Sequence, residues 1–422
     1  MRLLLSFLLS TFIFISASAQ KPTFQGQAPA EVVPTDSKPT IKQWKGTWEF
    51  DEGQVLFSND FDGARLNGVT QSGEDHYTIL ISAENIPINP SPWYAFKVWS
   101  KTPKTIKVLF TYQNSRSRYY PKISKDANAL NWAPLDTARY EPINMGEGAF
   151  GMGAQPEQIR ITLDIDENPT WIAAQELTTS GHVKSWIDGI CLHKEASQEI
   201  LGKSKEGRDM HVMSIGKGKS DKSLMIISRQ HPPEVTGYLA MKSFVETLMA
   251  DTPTAKKFRK KFNTYVVPLM NPDGVDNGHW RHNMGGIDLN RDWYNFNQPE
   301  TTNVKNFLDK KSDAGDEFVF GIDFHSTWDD IYYTVDSSFT DNKGGIMYEW
   351  LLQVEADLPN YTANIKPSQR MDPTLVSRNF FFRNHDMPAL VFELGDNTDR
   401  TFLNRKGEVA AIRLMELLLR DE

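Results

Sequence analysis

His231 and Glu234 stand three residues apart at the end of the run LMIISRQHPPE, residues 224–234. An imidazole and a carboxylate are ligand types that bind a borderline ion such as zinc, and a zinc site needs a further side chain from elsewhere in the chain. His325, in the run FVFGIDFHS, supplies it. Two histidines and a glutamate leave one tetrahedral position for water, the pattern of a catalytic rather than a closed structural site. A fourth residue, Glu393, lies between Phe392 and Leu394. A carboxylate among apolar residues is costly unless it is paired in a salt bridge or poised as a base. Taken singly, each of these residues also fits a structural role, because a His and a Glu three apart in a loop are more often solvated than metal-bound.

The elements that must position these side chains are strands. Ser223 to Ser228 is an apolar, β-compatible run that Pro232 and Pro233 prevent from continuing. Val235, Leu239, Phe244, Val245 and Leu248 then approximate one helical stripe, so His231 and Glu234 sit in a strand-to-helix connection. Further strands are expected over Tyr265–Met270, Phe318–Phe324 and Ala389–Leu394, with helices ending at Met249 and at the C-terminus. A helix capped by Thr179 or Ser180 runs through Cys191, and GKSKEGRDMHVMSIG reads as a turn and a strand. Strands alternating with helices imply a doubly wound, mostly parallel mixed sheet. In such a sheet ligands bind outside the carboxyl ends of the strands, where His231, Glu234, His325 and the polar run Asn271–Trp293 fall.

Upstream the pattern changes to period two. Tyr94, Phe96 and Val98 alternate with Ala95, Lys97 and Trp99, and Ile106 to Tyr112 and Ile159 to Ile165 repeat the pattern, so an antiparallel β-sandwich is expected over residues 41–172. The α/β domain then takes residues 173–422. The aromatic residues Trp93, Tyr94, Phe96, Trp99, Tyr119 and Tyr120 either line a ligand surface or fill the sandwich core. No catalytic constellation is visible in the sandwich.

The 422 residues, 39% hydrophobic and 24% charged, describe a globular chain too long for a single core. Met1 to Ala19 carries one charge, Arg2, followed by an apolar run and the small residues Ala17 and Ala19, which reads as a secretory signal peptide. Residues 20–40, rich in Pro, Gln, Ala and Thr, read as a flexible lead. The expected location is therefore secreted or periplasmic, with no membrane span in the mature chain. The formal charge of −8, one unit more negative without Arg2, and the lack of a basic cluster argue against nucleic acid and anionic membranes as partners. Cys191 is the single cysteine, which excludes an intrachain disulfide, and its apolar helical face marks it as core rather than a catalytic thiol.

At these residues the chain resembles the zinc metallocarboxypeptidase (funnelin) family. HPPE resembles the family's H-x-x-E zinc motif, NPDG leading to DLNR its substrate-anchoring segment, and His325 and Glu393 its third ligand and catalytic glutamate. The likeness is strongest to the cytosolic carboxypeptidase branch and its bacterial secreted relatives, whose own sandwich resembles FSNDFDGARLN and SPWYAFKV.

The resemblance implies one zinc per chain held by His231, Glu234 and His325, Arg281 as the electrophile beside the scissile carbonyl, Asn290 and Arg291 as the clamp for a free terminal carboxylate, and Glu393 as general base. The substrate would be a peptide or peptide-like molecule with a free C-terminus. The specificity position falls about fifteen residues before the glutamate, on Arg378, or with a small slip on Arg370 or Arg383, and a cation there favours an acidic last residue. The family's substrate-capping tyrosine has no counterpart between Tyr361 and Glu393, which leaves Tyr332, Tyr333, Tyr361 or none. Two other functions remain open. One is an amidohydrolase of the same fold acting on acylated amino acids or peptidoglycan stem peptides, and the other a silent binding protein, against which the retained ligands, Arg281 and Glu393 argue.

Overall fold

The computed structural model describes residues 39–85, 91–147, 154–216, 221–336, 338, 344–368 and 375–420. The expected signal segment, residues 20–38 and Arg370 lie outside the described residues.

The N-terminal strands are β1 (Thr47–Phe50), β2 (Val55–Ser58), β3 (Gly68–Gly73), β4 (His76–Ile81), β5 (Ala95–Ser100) and β6 (Lys104–Tyr112). They are followed by β7 (Lys122–Ser124), β8 (Ala133–Pro134), β9 (Tyr140–Gly146), β10 (Gln155–Ile165) and β11 (Thr170–Ala173). They form two sheets, ordered β1-β2-β5-β11-β7-β8 and β3-β4-β6-β10-β9. Alternation decides which side chains enter the core: Ile106, Val108 and Phe110 of β6 and Ile159, Ile161 and Leu163 of β10 are all buried. Pairing is antiparallel except between β4 and β6, which run parallel. Four of the six aromatic residues, Trp93, Tyr94, Phe96 and Tyr119, belong to the core, while Trp99 and Tyr120 are only partly buried. Tyr94 packs edge-on against Phe110 at 4.9 Å, Trp93 donates to Gly63 O at 3.0 Å, and both are buried with Phe96 and Tyr119.

The second part begins with α1 (Ser180–Ile190), capped by the Thr179 side chain, and continues through β12 (Ala196–Lys203), β13 (Asp209–Ile215), β14 (Lys222–Ser228), α2 (Val235–Leu248), α3 (Pro253–Lys261) and β15 (Asn263–Val267). After α4 (Pro272–Asp276) and α5 (Pro299–Asp313) come β16 (Glu317–Thr327), β17 (Ile331–Val335), α6 (Gly344–Asp357), β18 (Ile365–Ser368), α7 (Ser377–His385), β19 (Ala389–Gly395) and α8 (Arg400–Arg420). The strands make one sheet ordered β12-β13-β15-β14-β16-β19-β17-β18. Its centre, β15, β14, β16 and β19, is parallel, and antiparallel pairs join β12 and β13 on one side and β17 on the other.

Helices cover both faces, which is why β14 is an unbroken apolar run. Leu224 and Ile226 pack with residues of α2 and α8, while Met225 and Ile227 pack with Trp293, α5 and α7. The turn and strand expected over residues 202–216 are the turn 204–208 and β13, which pairs with the preceding strand β12 as a hairpin. Its edge strand escapes hydrophobic patterning because none of its residues is fully buried. Cys191 caps the end of α1 and packs against the core.

Candidate metal centre

β14 ends at Ser228 and the next residue, Arg229, has a left-handed φ of 59°. Its guanidinium donates to Pro232 O at 2.5 Å and to Thr178 O at 3.3 Å, which clamps the HPPE turn. From the other side, α4 presses Gly274 against Pro232, and the Asn271 side chain caps α4 while donating to Gln230 O at 3.1 Å. α2 then crosses β16 so closely that a Cβ on Gly237 would sit 2.5 Å from His325 O. Glycine at that helix position therefore brings Glu234, at the head of α2, to the end of β16.

The result is a three-residue cluster, His231, Glu234 and His325, whose candidate ligand atoms lie within 4.8 Å of one another. His231 Nδ1 is 2.7 Å from Glu234 Oε1, and His325 Nδ1 is 2.7 Å from Oε2. The second contact lacks hydrogen-bond geometry, so Oε2 is a buried acceptor without a hydrogen bond among the described residues. Each imidazole is fixed from behind: Asp288 Oδ1 lies 2.9 Å from His231 Nε2, and Asp323 Oδ2 lies 2.9 Å from His325 Nε2. A carboxylate behind each ring holds the proton on Nε2 and turns the Nδ1 lone pair inward. These side chains fit a zinc ion, because the donors are the right types, converge, and are oriented by acceptors. Burial opposes charge on Glu234, but His231 and His325 outweigh it and hold its carboxyl well below the usual range.

Register places the remaining groups. Parallel pairing sets Glu393 beside His325 and Val391 beside Asp323, and antiparallel pairing sets Ile331 beside Glu393 and Tyr333 beside Val391. Asp323, His325, Glu393 and Tyr333 thus share one face of the sheet. Glu393 Oε2 is buried and has no hydrogen-bond partner among the described residues, although the residue as a whole keeps some solvent contact. Burial raises its carboxyl to about 7; His325 opposes the shift and Glu234 adds to it.

Arg281 pairs with Asp288 at 2.7 Å, so the same carboxylate holds the guanidinium and His231. Asn290 is buried at the short turn Leu289–Arg291; its Oδ1 accepts from Ser377 N at 3.0 Å and its Nδ2 lies 3.5 Å from His325 Nε2. Arg291 donates to Asn290 O at 2.7 Å and is electrostatically coupled to Glu393 and Tyr333. Arg378, on α7, is buried, donates through Nε to Asn379 Oδ1 at 3.2 Å, and has no hydrogen-bond partner on Nη1 among the described residues. Burial pulls its pKa down to about 10, and its electrostatic neighbours are Tyr333 and Arg291.

Two of the tyrosines weighed as substrate caps are used elsewhere. Tyr332 lies on the opposite face of β17, fully buried, with its hydroxyl 2.5 Å from that of Tyr361, which accepts from Lys406 at 2.7 Å. Both are locked in the core under α8, and Tyr333 is the tyrosine that shares the face of Glu393. Arg383 lies in the last turn of α7, away from the buried position of Arg378.

Asp288 and Glu84 are not singled out by the sequence, and Asp323, which stands with His325 at the end of its strand, has no role assigned from it. Asp323 was legible, since a strand residue two before a ligand shares its face. Asp288 lies inside DLNR, and no local signal marks Glu84.

A mixed sheet covered by helices on both faces, with a His-Glu-His cluster at its strand ends, defines the class as an α/β protein with a candidate zinc centre. Residues 184–370 match the family model described as Zinc carboxypeptidase, a zinc-dependent family. The matched stretch contains the three candidate ligands, Arg281, Asn290 and Arg291 and stops before Arg378 and Glu393. The chain is 36% identical over 310 residues to human cytosolic carboxypeptidase 4, covering 64% of this chain and 28% of that protein. It is 26% identical over 272 residues to an uncharacterized protein of Zymomonas mobilis, covering 62% of this chain and 65% of that one. It thus spans less than two thirds of these relatives. The metallo-carboxypeptidase from Burkholderia cenocepacia superposes with a TM-score of 0.72 at 17% identity, over 87% of this chain and 100% of that one. The Pseudomonas aeruginosa metallo-carboxypeptidase solved with (2-guanidinoethylmercapto)succinic acid gives 0.67 at 20% identity, over 87% and 100%. The match over residues 184–370 and the likeness to the cytosolic carboxypeptidases place this stretch with the zinc carboxypeptidases, and the bacterial metallo-carboxypeptidase structures share its fold.

Proposed function

We propose that the chain is a zinc-dependent carboxypeptidase that removes the last residue of a peptide with a free terminal carboxylate, prefers an acidic last side chain, and acts after export. The observation that carries this reading is the convergence of the His231, Glu234 and His325 cluster with an unpartnered Glu393 on one face of the sheet. A zinc ion held by those three side chains would supply Lewis acidity to a carbonyl and to water.

Glu393 accepts the proton of the attacking water and returns it to the leaving amine, a role that needs a carboxylate with a free oxygen and a raised pKa. Arg281, braced by Asp288, faces the oxygen on which charge develops. Asn290 and Arg291 hold the terminal carboxylate, and the planar guanidinium makes that grip bidentate. Arg378 is a buried cation whose Nη1 has no hydrogen-bond partner among the described residues, and a substrate carboxylate would supply one. Tyr333, on the same face, closes over the bound end. The export reading rests on Arg2 and the apolar run that follows it. No helix among the described residues is long and apolar enough to cross a membrane.

The test is release of free amino acids from peptides, from acylated amino acids and from muropeptides, with metal content measured in parallel. Peptide hydrolysis with one zinc per chain, lost on chelation and restored by zinc, supports the reading. Full hydrolysis by metal-free protein would end it, and turnover of only the acylated or peptidoglycan substrates would favour the amidohydrolase. N-terminal sequencing of the exported protein is expected to begin at Gln20.

A further inference from the structure

The sandwich meets the α/β domain beside the metal centre, and the contact combines apolar packing of Trp280 with a set of polar links. Gly63 N donates to Asp276 O at 2.8 Å, and Arg65 Nε donates to Gly278 O at 2.8 Å. Gly278, at φ 64°, approaches so closely that a Cβ would lie 2.1 Å from Ala64 O. Trp280 Nε1 donates to the Tyr119 hydroxyl at 3.2 Å. Among these contacts one is unlike the others. Glu84, a fully buried sandwich residue just beyond β4, receives three consecutive backbone N–H groups from the other domain. Trp280 N lies 3.2 Å from Oε2, and Arg281 N and His282 N lie 2.9 and 3.1 Å from Oε1. His282 Nδ1 is 3.3 Å from the same oxygen.

Successive N–H groups converging on one point make a nest for an anion, and here the anion is a side chain of the neighbouring domain. The central residue of the nest is Arg281. Its backbone is held by Glu84 and its guanidinium by Asp288, which also holds His231. We propose that Glu84 is a positioning residue for Arg281: it gathers the Trp280–His282 loop across the domain boundary and aims the guanidinium at the reacting carbonyl. The sandwich is then part of the catalytic apparatus. The inference rests on the carboxypeptidase reading for what Arg281 does, but not for the hold on the loop.

A guanidinium serving a transition-state charge loses its effect when misplaced by about 1 Å, so loosening its loop lowers turnover more than substrate affinity. Glutamine at position 84 keeps the shape but offers one acceptor oxygen in place of two and turns an N–H donor toward the nest. The experiment compares wild type, Glu84→Gln, Arg281→Ala and the double variant for zinc content, kcat, KM and backbone hydrogen exchange. Glu84→Gln is expected to keep its zinc, to lower kcat about tenfold or more with KM changed less than about threefold, and to raise exchange at the Trp280, Arg281 and His282 amides. On the Arg281→Ala background the same change is expected to cost less than about threefold further, because the two act through one group. Should Glu84→Gln fail to fold, Glu84→Asp keeps the charge, shortens the reach and is read in the same cycle. Independent, multiplying losses would overturn the proposal, as would raised exchange with unchanged kcat. If the wild type hydrolyses no peptide the functional reading fails, while the exchange data still report whether Glu84 holds the loop.

Discussion

Glu393 and Arg378 are ionisable side chains that each bury a polar atom, Oε2 and Nη1, without a hydrogen-bond partner among the described residues, and each makes a measurable claim. With its carboxyl lifted to about 7 by burial, Glu393 is protonated over much of the mildly acidic range and cannot then accept a proton. The value of kcat/KM is therefore expected to fall as pH drops through the pKa of this group. Bound zinc adds positive charge nearby and moves that limb downward, to between about 7 and the ordinary carboxyl value of 4.5. Glu393→Gln is expected to abolish the limb, keep the zinc and lower kcat by about 10² to 10⁴. An acid limb that survives in this variant would place the proton acceptor elsewhere. For Arg378 the readout is the ratio of rates on peptides ending in Glu and in Phe, expected to be on the order of 100 or more and to collapse in Arg378→Ala. A wild-type preference for aromatic or basic ends would refute that assignment and leave the zinc cluster untouched. Glu393 stands out in the sequence because a carboxylate between apolar residues is costly to bury, whereas Arg378 is singled out only by the family resemblance. Glu84, more deeply buried than either, is not marked, since nothing near it in sequence receives it.

At the level of elements, a strand's period of two does much of the positioning. It sets Asp323 and His325 on one face of β16, Glu393 level with His325 on β19, and Tyr333 with them on β17, while Tyr332 turns into the core. β14, β16 and β19 were readable because they are buried on both faces and therefore mostly apolar, with Asp323, His325 and Glu393 among the exceptions toward their carboxyl ends. β12 and β18 were not, because edge strands with no fully buried residue carry no pattern to read. α7 was also missed. Its SRNFFFRNH turns only a short apolar face to Trp293, yet it carries Arg378 and presents Ser377 to both Asn290 and Asp323. The carboxylates behind the histidines give this level its prediction. Asp288→Asn and Asp323→Asn are each expected to weaken zinc about 10- to 100-fold, measured by competition with a chromophoric chelator. Unchanged affinity in both would show that they do not orient the rings.

Across the whole molecule the domain contact is itself a titrating device. Glu84 faces Arg65, His279 and His282; burial opposes its charge, but the hydrogen bond from His282 and the neighbouring imidazoles and guanidinium hold its carboxyl well below 4.5. A carboxyl whose folded pKa is depressed contributes stability that is complete above the unfolded value and is lost as pH falls below it. The interface is therefore expected to weaken below about pH 4.5. His279, whose pKa burial lowers to about 4, adds a loss that begins below its ordinary 6.5. The Glu84 part is the difference in unfolding midpoint between wild type and Glu84→Gln, which is expected to shrink as pH drops from 5 to 3.5. A constant difference would mean the carboxylate is not what the interface titrates.

The same contact also has a history during synthesis. Glu84 and Arg65 belong to the half of the chain made first, and their partners lie 196 to 213 residues further on. At roughly 5–20 residues per second, the newly made sandwich waits about 10 to 40 seconds for Gly278 to His282 to emerge. During that wait the surface destined to be covered presents a carboxylate and a guanidinium to water beside the rings of Trp93 and Tyr119, part of the core that Trp280 later packs against. The cost of drying those charges falls due only when the loop arrives to receive them.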